Sequence, residues 1–150
     1  QLTWTIMKNF KDKLVMPTDF AVFDTSNPKE TAIVKGRHEI SGTEKICDIG
    51  PKTILAYAKI LKTAKTICWN GPVGYFEKKP FRAGTMALAK VVGSVSSGKA
   101  FGVAGGGETV AAIRQAHQFE YIDHVSTGGG AMLEYLAGNK LPGIEALRKP

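Results

Sequence analysis

Two runs of three consecutive glycines, Gly105-Gly106-Gly107 and Gly128-Gly129-Gly130, each stand between a short apolar segment and an amphipathic one. Consecutive glycines give up much backbone entropy on folding, so a chain carries them where side chains would obstruct a turn or a close approach. Before the first triplet lies Ala100-Phe101-Gly102-Val103-Ala104, and before the second lies the stretch Tyr121 to Ser126. Such runs suit strands of a parallel sheet covered on both faces. After the triplets, apolar residues recur at helical spacing through Val110 and Ile113, over about ten residues, and through Leu133 and Leu136. Upstream, Thr66-Ile67-Cys68-Trp69 reads as a third buried strand, followed by a loop from Asn70 to Pro80 and a helix through Met86, Leu88, Ala89 and Val92. Strand, turn and helix in repetition specify an α/β fold with right-handed crossovers. The expected architecture is a Rossmann-like parallel sheet flanked by helices, a partial three-layer αβα domain over residues 1–150.

The first third of the chain is less regular. Leu14 to Asp24 reads as extended chain interrupted at Pro17, Thr25 to Pro28 as a turn, and Thr31 to Val34 as a short exposed strand. Asp48-Ile49-Gly50-Pro51 reads as a turn whose proline opens a helix, with Ile54, Tyr57, Ala58 and Leu61 on one apolar stripe. A further helix is expected near Ile144 to Leu147.

In an open α/β sheet, ligands gather beyond the carboxyl ends of the strands. Three loops sit at that edge: Asn70-Gly71-Pro72-Val73-Gly74, Gly105-Gly106-Gly107-Glu108-Thr109 and Ser126-Thr127-Gly128-Gly129-Gly130-Ala131. The triplets either make tight turns that let helices pack on the sheet, or they bare backbone N–H groups for an anion at a helix start. Two triplets on successive strands of one edge favour the second reading, with phosphate as the guest.

Other motifs carry less. Gly93-Ser94-Val95-Ser96-Ser97-Gly98-Lys99-Ala100 spells a Walker A loop except at its last position, where a hydroxyl should hold Mg²⁺. It also follows a helix and enters a strand, the reverse of a P-loop, so it is a polar connector. No G-x-G-x-x-G opens a helix with an acidic residue about 20 positions on. Cys47 and Cys68 lack metal-ligand spacing and are expected to be buried free thiols of a reducing cytoplasm. His38, His117 and His124 show no ligand spacing and read as ordinary structural or surface residues. The net charge of +7 favours anionic partners. It is spread evenly, with eleven basic against seven acidic residues in the first 75 and nine against six after. No basic arm or aromatic platform forms, so nucleic acid is not an expected partner. No apolar run approaches the roughly 18–20 residues of a membrane span, and no targeting segment is evident. With Gln1 in place of Met, a processed or truncated chain is expected.

Five blocks, taken together, resemble the phosphoglycerate kinase family: Asp48-Ile49-Gly50-Pro51-Lys52-Thr53; Trp69-Asn70-Gly71-Pro72-Val73-Gly74-x-Phe76-Glu77; Gly105-Gly106-Gly107-Glu108-Thr109; His124 through Ala131 with Leu133 and Glu134; and Leu141-Pro142-Gly143-Ile144. They occur in the family's order and cover Asp48 to Leu147 strongly. The resemblance implies the last third of such an enzyme, the C-terminal part of its nucleotide-binding domain, without the acceptor domain or the upstream phosphate-binding lysines. It implies cytoplasmic, glycolytic, Mg²⁺-dependent phosphoryl transfer between 1,3-bisphosphoglycerate and ADP, giving 3-phosphoglycerate and ATP. The isolated chain is then expected to bind nucleotide without turnover, and to be marginally stable or to self-associate through an open sheet edge.

The same resemblance assigns roles. Asn70 would approach the terminal phosphate, Gly71, Val73 and Phe76 would line the nucleotide slot, and Glu77 would accept from the ribose hydroxyls. Gly106, Gly107 and Thr109 would present N–H groups to the phosphates, and Gly128, Gly129 and Gly130 would face the migrating phosphoryl group. Gly106, Gly129 and Gly130 are the catalytic candidates. Glu108 stands where many members place an Asp that contacts nucleotide-bound Mg²⁺, its carboxylate about 1.5 Å further out. Alternatively it is simply a charge well placed at a helix start. Ile46 replaces a smaller residue beside the base, which narrows the slot or reflects a local shift.

Overall fold

The computed structural model describes residues 2–26, 29 and 31–148. It contains two three-stranded sheets joined by one buried helix. In the first, β1 (Asp19–Asp24) lies between β2 (Ile33–Gly36) and β3 (Glu44–Ile49), antiparallel to both. Its register with β3 shifts between Ala21 and Val22, a bulge that lets the strand bend. In the second sheet β4 (Thr66–Asn70), β5 (Phe101–Gly105) and β6 (His124–Ser126) run parallel in that order. This is the expected Rossmann-like half.

The antiparallel sheet is an addition to the expected architecture. Glu44–Ile49 carries Lys45, Ile46, Cys47 and Asp48 in a row, so no clean alternation announces a strand. Its inner end is nonetheless buried, from Cys47 to Ile49. The third parallel strand is shorter than the expected Tyr121–Ser126, because a 3₁₀ turn occupies Phe119–Tyr121 and the Asp123 carboxylate accepts from the Gly102 N–H at 2.7 Å. Of the turn expected at Thr25 to Pro28, Asn27 and Pro28 lie outside the described residues.

Helix α1 (Leu2–Asn9) is exposed throughout, whereas α2 (Pro51–Leu61) opens on its proline as expected. The longest helix, α3 (Ala83–Ser96), buries Leu88, Ala89, Val92 and Val95 and packs against α2, β3 and β5, binding the two sheets into one core. Helix α4 (Gly107–Gln115) joins it on the same face of the parallel sheet, where Ile67, Ala104, Ile113 and Ile122 close around Val92 and Val95. The opposite face is covered by α5 (Gly129–Leu136) and α6 (Pro142–Arg148) less tightly, leaving an apolar cavity of about 480 Å³ beside Cys68 and Val103.

That loose cover corrects the reading of the cysteines. Neither is in a disulfide among the described residues and Cys47 is buried, but Cys68 is exposed, because it points to the incompletely filled face from a strand at the sheet's edge. The Walker-like stretch runs from the last turn of α3 into the connector before β5, as its context required. None of the described helices is long and apolar enough to cross a membrane.

Candidate functional site

The carboxyl ends of β4 and β5 deliver Asn70 and Gly105 side by side in register, and β6 ends next to them at Ser126. Each strand then turns into the loop or helix that the glycines permit. Gly106 sits at φ 93°, a left-handed conformation that a Cβ would strain. The two triplets meet there: a Cβ on Gly129 would lie 2.7 Å from Gly106 Cα and 2.8 Å from its nitrogen. The Asn70 carboxamide oxygen lies against both, 2.8 Å and 3.4 Å from the Cβ positions of Gly106 and Gly129. Side chains at either glycine would push these backbones apart.

The starts of α4 and α5 are therefore adjacent, and neither makes a side-chain cap hydrogen bond. The first N–H groups of a helix have no acceptor within it. For Gly107, Glu108 and Thr109, and for Gly129, Gly130 and Ala131, no acceptor is found among the described residues. Two bundles of free N–H groups, each at the positive end of a helix, thus converge on one rim.

Beside that rim lies a cavity of about 420 Å³, walled by Ile46, Cys47, Gly71, Pro72, Val73, Gly74, Tyr75, Glu77 and Glu108. Its walls come from both sheets. Strand β3 supplies Ile46 and Cys47, the loop after β4 supplies residues 71–77, and the first turn of α4 supplies Glu108. Gly71 is held from both sides: its N–H donates to Thr109 Oγ1 at 2.7 Å, and its carbonyl accepts from Trp69 Nε1 at 2.7 Å. The Thr109 hydroxyl is thus engaged inside the fold, leaving its N–H for the rim.

Of the residues singled out in the sequence, Gly71, Val73, Glu77, Glu108 and Ile46 share the cavity wall, while Asn70, Gly106 and Gly129 share the rim. Gly107, Gly128 and Gly130 belong to the same two turns. Phe76 departs from the expected position. It is 5% exposed and packs inward, and Tyr75, 59% exposed, faces the cavity instead. Ile46 is 52% exposed on the wall, so a large apolar side chain does stand in the slot.

Two buried carboxylates escaped the sequence reading. Asp19, at 4% exposure, accepts from the Lys52 N–H at 2.9 Å and from the Thr53 N–H and hydroxyl at 2.7 and 2.6 Å. Burial alone would raise its pKa, but the hydrogen bonds from Thr53 and Lys52 and the Lys52 charge outweigh it and hold the carboxyl below the ordinary 3.8. Asp48, at 1% exposure, accepts from the Ile49 N–H at 2.9 Å and the Gly84 N–H at 2.7 Å. Here burial prevails over those two bonds and pushes the carboxyl above 3.8. The available signal was an aspartate next to an apolar run and a glycine. Its meaning depends on helices that begin more than thirty residues away. Among the described residues, no group of three or more His, Cys, Asp or Glu is placed to hold a metal by itself.

A family model described as phosphoglycerate kinase matches residues 1–139. The phosphoglycerate kinase of Chloroflexus aggregans is 43% identical over 136 residues, which are 91% of this chain and 34% of that protein. The Deinococcus radiodurans phosphoglycerate kinase is 44% identical over 142 residues, 95% of this chain and again 34% of the relative. Among solved structures, phosphoglycerate kinase from Coxiella burnetii superimposes with a TM-score of 0.85 at 38% identity, covering 97% of this chain and 38% of that one. The enzyme from Pyrococcus horikoshii does so at 0.79 and 35% identity, covering 96% and 35%. The chain spans about a third of the length of the relatives it matches.

Proposed function

The chain belongs to the phosphoglycerate kinase family, and from that premise we propose that it supplies the nucleotide side of a reversible phosphoryl transfer between 1,3-bisphosphoglycerate and ADP. The observation that carries the reading is the contact of Gly106 with Gly129 at two uncapped helix starts, directly beside the cavity that Glu77 and Glu108 share.

A nucleoside diphosphate suits that arrangement in parts. Its base lies against Ile46, Val73 and Tyr75, and Glu77 accepts from the ribose hydroxyls. The phosphates run to the N–H groups of Gly107 and Thr109, with Asn70 at the terminal one. In the forward direction a terminal phosphate oxygen of ADP attacks the acyl phosphorus. The bond from that phosphorus to the acyl oxygen breaks, and 3-phosphoglycerate departs as a carboxylate. The N–H groups of Gly106, Gly129 and Gly130 lie where the migrating group's charge is spread over its equatorial oxygens. Phosphoryl transfer asks a protein for little beyond alignment and neutralisation of charge, and fixed amides provide both without reorganising.

The residues present also fit Mg²⁺ delivered with the nucleotide. Such an ion keeps most of its coordination from phosphates and water and needs one or two carboxylates, which Glu108 offers on the cavity wall. When bound, the ion offsets phosphate charge.

The acceptor side is proposed to come from the two thirds of the relatives' length that this chain does not span. For these 150 residues alone, nucleotide binding without turnover is the reading that span favours. Calorimetric titration with Mg-ADP tests the site. Binding at millimolar concentration or tighter supports it, and the absence of both heat and a thermal shift overturns it. ATP formation from 1,3-bisphosphoglycerate by the intact protein tests the reaction, with glycolysis in the cytoplasm as its proposed setting.

A further inference from the structure

The cavity wall does not hold itself in place. Gly74 and Tyr75 lie in a loop without regular structure, yet they line the cavity together with Glu108. Both are fastened to the same place. The Gly74 N–H donates to Thr85 Oγ1 at 3.1 Å, and the Tyr75 N–H donates to the Cys47 carbonyl at 2.9 Å. The Asp48 carboxylate lies against the same loop. Cβ atoms on Gly74 and on Gly84 would each come within 2.3 Å of Asp48 Oδ1, so both glycines press bare backbone against the same carboxylate oxygen. The other oxygen takes the Gly84 N–H in the first turn of α3. The carboxylate thus bonds the end of β3 to the start of α3, and the cavity loop lays the bare Gly74 backbone against it.

We propose that Asp48 is a positioning residue for the nucleotide cavity. It touches no ligand; it fixes residues 71–77 and so sets the separation between the walls that Ile46, Tyr75 and Glu77 provide. This rests on the reading of that cavity as the nucleotide site. The aspartate is an unusual means of building a wall. A buried carboxylate with two donors is costly to bury, and an apolar residue would fill the same space at less cost. What an apolar residue lacks is the paired acceptor geometry that sets β3 and α3 at a fixed separation with the loop between them. The raised pKa agrees with a group kept in place by geometry rather than by abundant solvation.

The test uses the intact protein and two independent breaks of this fastening. Asp48→Asn keeps the shape but turns an amide N–H₂ toward a backbone donor. Thr85→Val keeps the shape and removes the acceptor of the Gly74 N–H, and Thr85→Ser restores it. Hydrogen exchange of the Tyr75 amide reports the wall, titration with Mg-ADP reports the cavity, and turnover separates KM from kcat. Expected for Asp48→Asn and Thr85→Val are faster exchange at Tyr75, about tenfold weaker ADP binding with a matching rise in KM, and kcat within about twofold of the parent. Thr85→Ser is expected to return all three to the parent values. Unchanged ADP affinity in both variants, or an equal fall in kcat with KM unaltered, would overturn the assignment while leaving the nucleotide site intact. Failure of the unmodified protein to bind ADP would instead overturn the site reading itself, and this inference with it.

Discussion

Among the described residues, four helices start against a sheet, and they treat their starts in two ways. At α2 and α3 the exposed N–H groups are answered from within: Asp19 takes those of Lys52 and Thr53, and Asp48 takes that of Gly84. Both aspartates come from the antiparallel sheet and both are almost fully buried. At α4 and α5, which follow the parallel strands, glycines stand in place of acceptors and the N–H groups are left to whatever approaches from outside. An orphan donor is tolerable only where water or a ligand reaches it, and Gly107, Glu108, Gly128 and Gly130 are indeed exposed. The same helix polarity serves cohesion in one half and, on the proposed reading, recognition in the other.

Closing the open pair should produce the largest effect. Gly129→Ala puts a methyl group within 2.7 Å of Gly106 Cα, where only backbone can give way. Separating the two starts by even part of that overlap misplaces the donors proposed to meet the migrating phosphoryl group. Removal of one positioned donor typically costs about 10²–10³ in rate. The expected result is a fall of about 10³ in kcat/KM, with a lower melting temperature as the half-buried Gly106 and Gly129 backbones are forced apart. A variant with near-normal turnover would remove the functional half of the comparison.

The complementary break is Asp19→Ala. It leaves the Lys52 and Thr53 N–H groups without their acceptor in a buried place, while the Thr53 hydroxyl keeps the main-chain carbonyl at position 19, and the cost should appear as stability rather than activity. About 3 kcal/mol is expected from orphaned donors of this kind, read from denaturant midpoints. Residual folded protein should bind Mg-ADP as the parent does. If Asp19→Ala abolishes binding without destabilising the chain, the division between cohesive and receptive starts is wrong.

What was legible in the sequence follows the same division. The parallel half could be read because its signals are local: an apolar run, a glycine triplet and an amphipathic segment adjoin in the chain at Phe101–Gln115 and again near Gly128–Leu136. The antiparallel half was legible only in part: extended chain was expected over Leu14 to Asp24 and a short strand over Thr31 to Val34, but β3 and the pairing of the three strands were not read, because their logic is non-local. β3 pairs with a strand some twenty-five residues upstream, and Asp48 finds its Gly84 partner 36 residues downstream. Phe76 shows the limit within a recognised motif. The motif places its backbone in the cavity loop, but which neighbour turns inward is decided by the contact with the core, and there Tyr75 takes the place on the cavity wall expected for Phe76. Cys68 was misjudged because burial of a strand depends on the helices covering each face, and α5 and α6 cover theirs loosely.

The two cohesive aspartates can themselves be separated by acid. Asp19 has a depressed pKa, so its contribution to stability is present above the ordinary 3.8 and is lost as pH falls through the lower, folded value. Asp48 has a raised pKa, so its contribution is fully present below 3.8 and is lost as pH rises through the higher, folded value. Chemical denaturation from about pH 2 to about pH 6 should therefore respond to the two substitutions in opposite senses. Asp19→Asn should flatten the loss of stability below 3.8, and Asp48→Asn should flatten a decline above it. Parallel responses would mean that the two carboxylates are not differently solvated and that the count of donors around each does not decide its charge.

The smallest expected effect concerns Glu108, the single acidic residue in the first turn of an open helix. A carboxylate there favours the helix by its charge alone, by about 0.3–1 kcal/mol, and the same carboxylate faces the cavity as an oxygen donor. Glu108→Gln keeps the length and removes the charge. If the residue serves only the helix, stability falls by less than about 1 kcal/mol and the dependence of turnover on Mg²⁺ is unchanged. If it serves the metal carried by the nucleotide, the Mg²⁺ concentration for half-maximal turnover rises several-fold while the parent and variant converge at saturating Mg²⁺. The second outcome is expected. Helix α4 already tolerates uncapped N–H groups at its start, so it has little need of a charge there for cohesion, whereas the diphosphate proposed to meet those same groups would carry a cation that needs an anionic oxygen. Glu108→Asp then sharpens the distinction, since drawing the carboxylate back by about one C–C bond leaves its charge at the helix start and changes only its reach into the cavity.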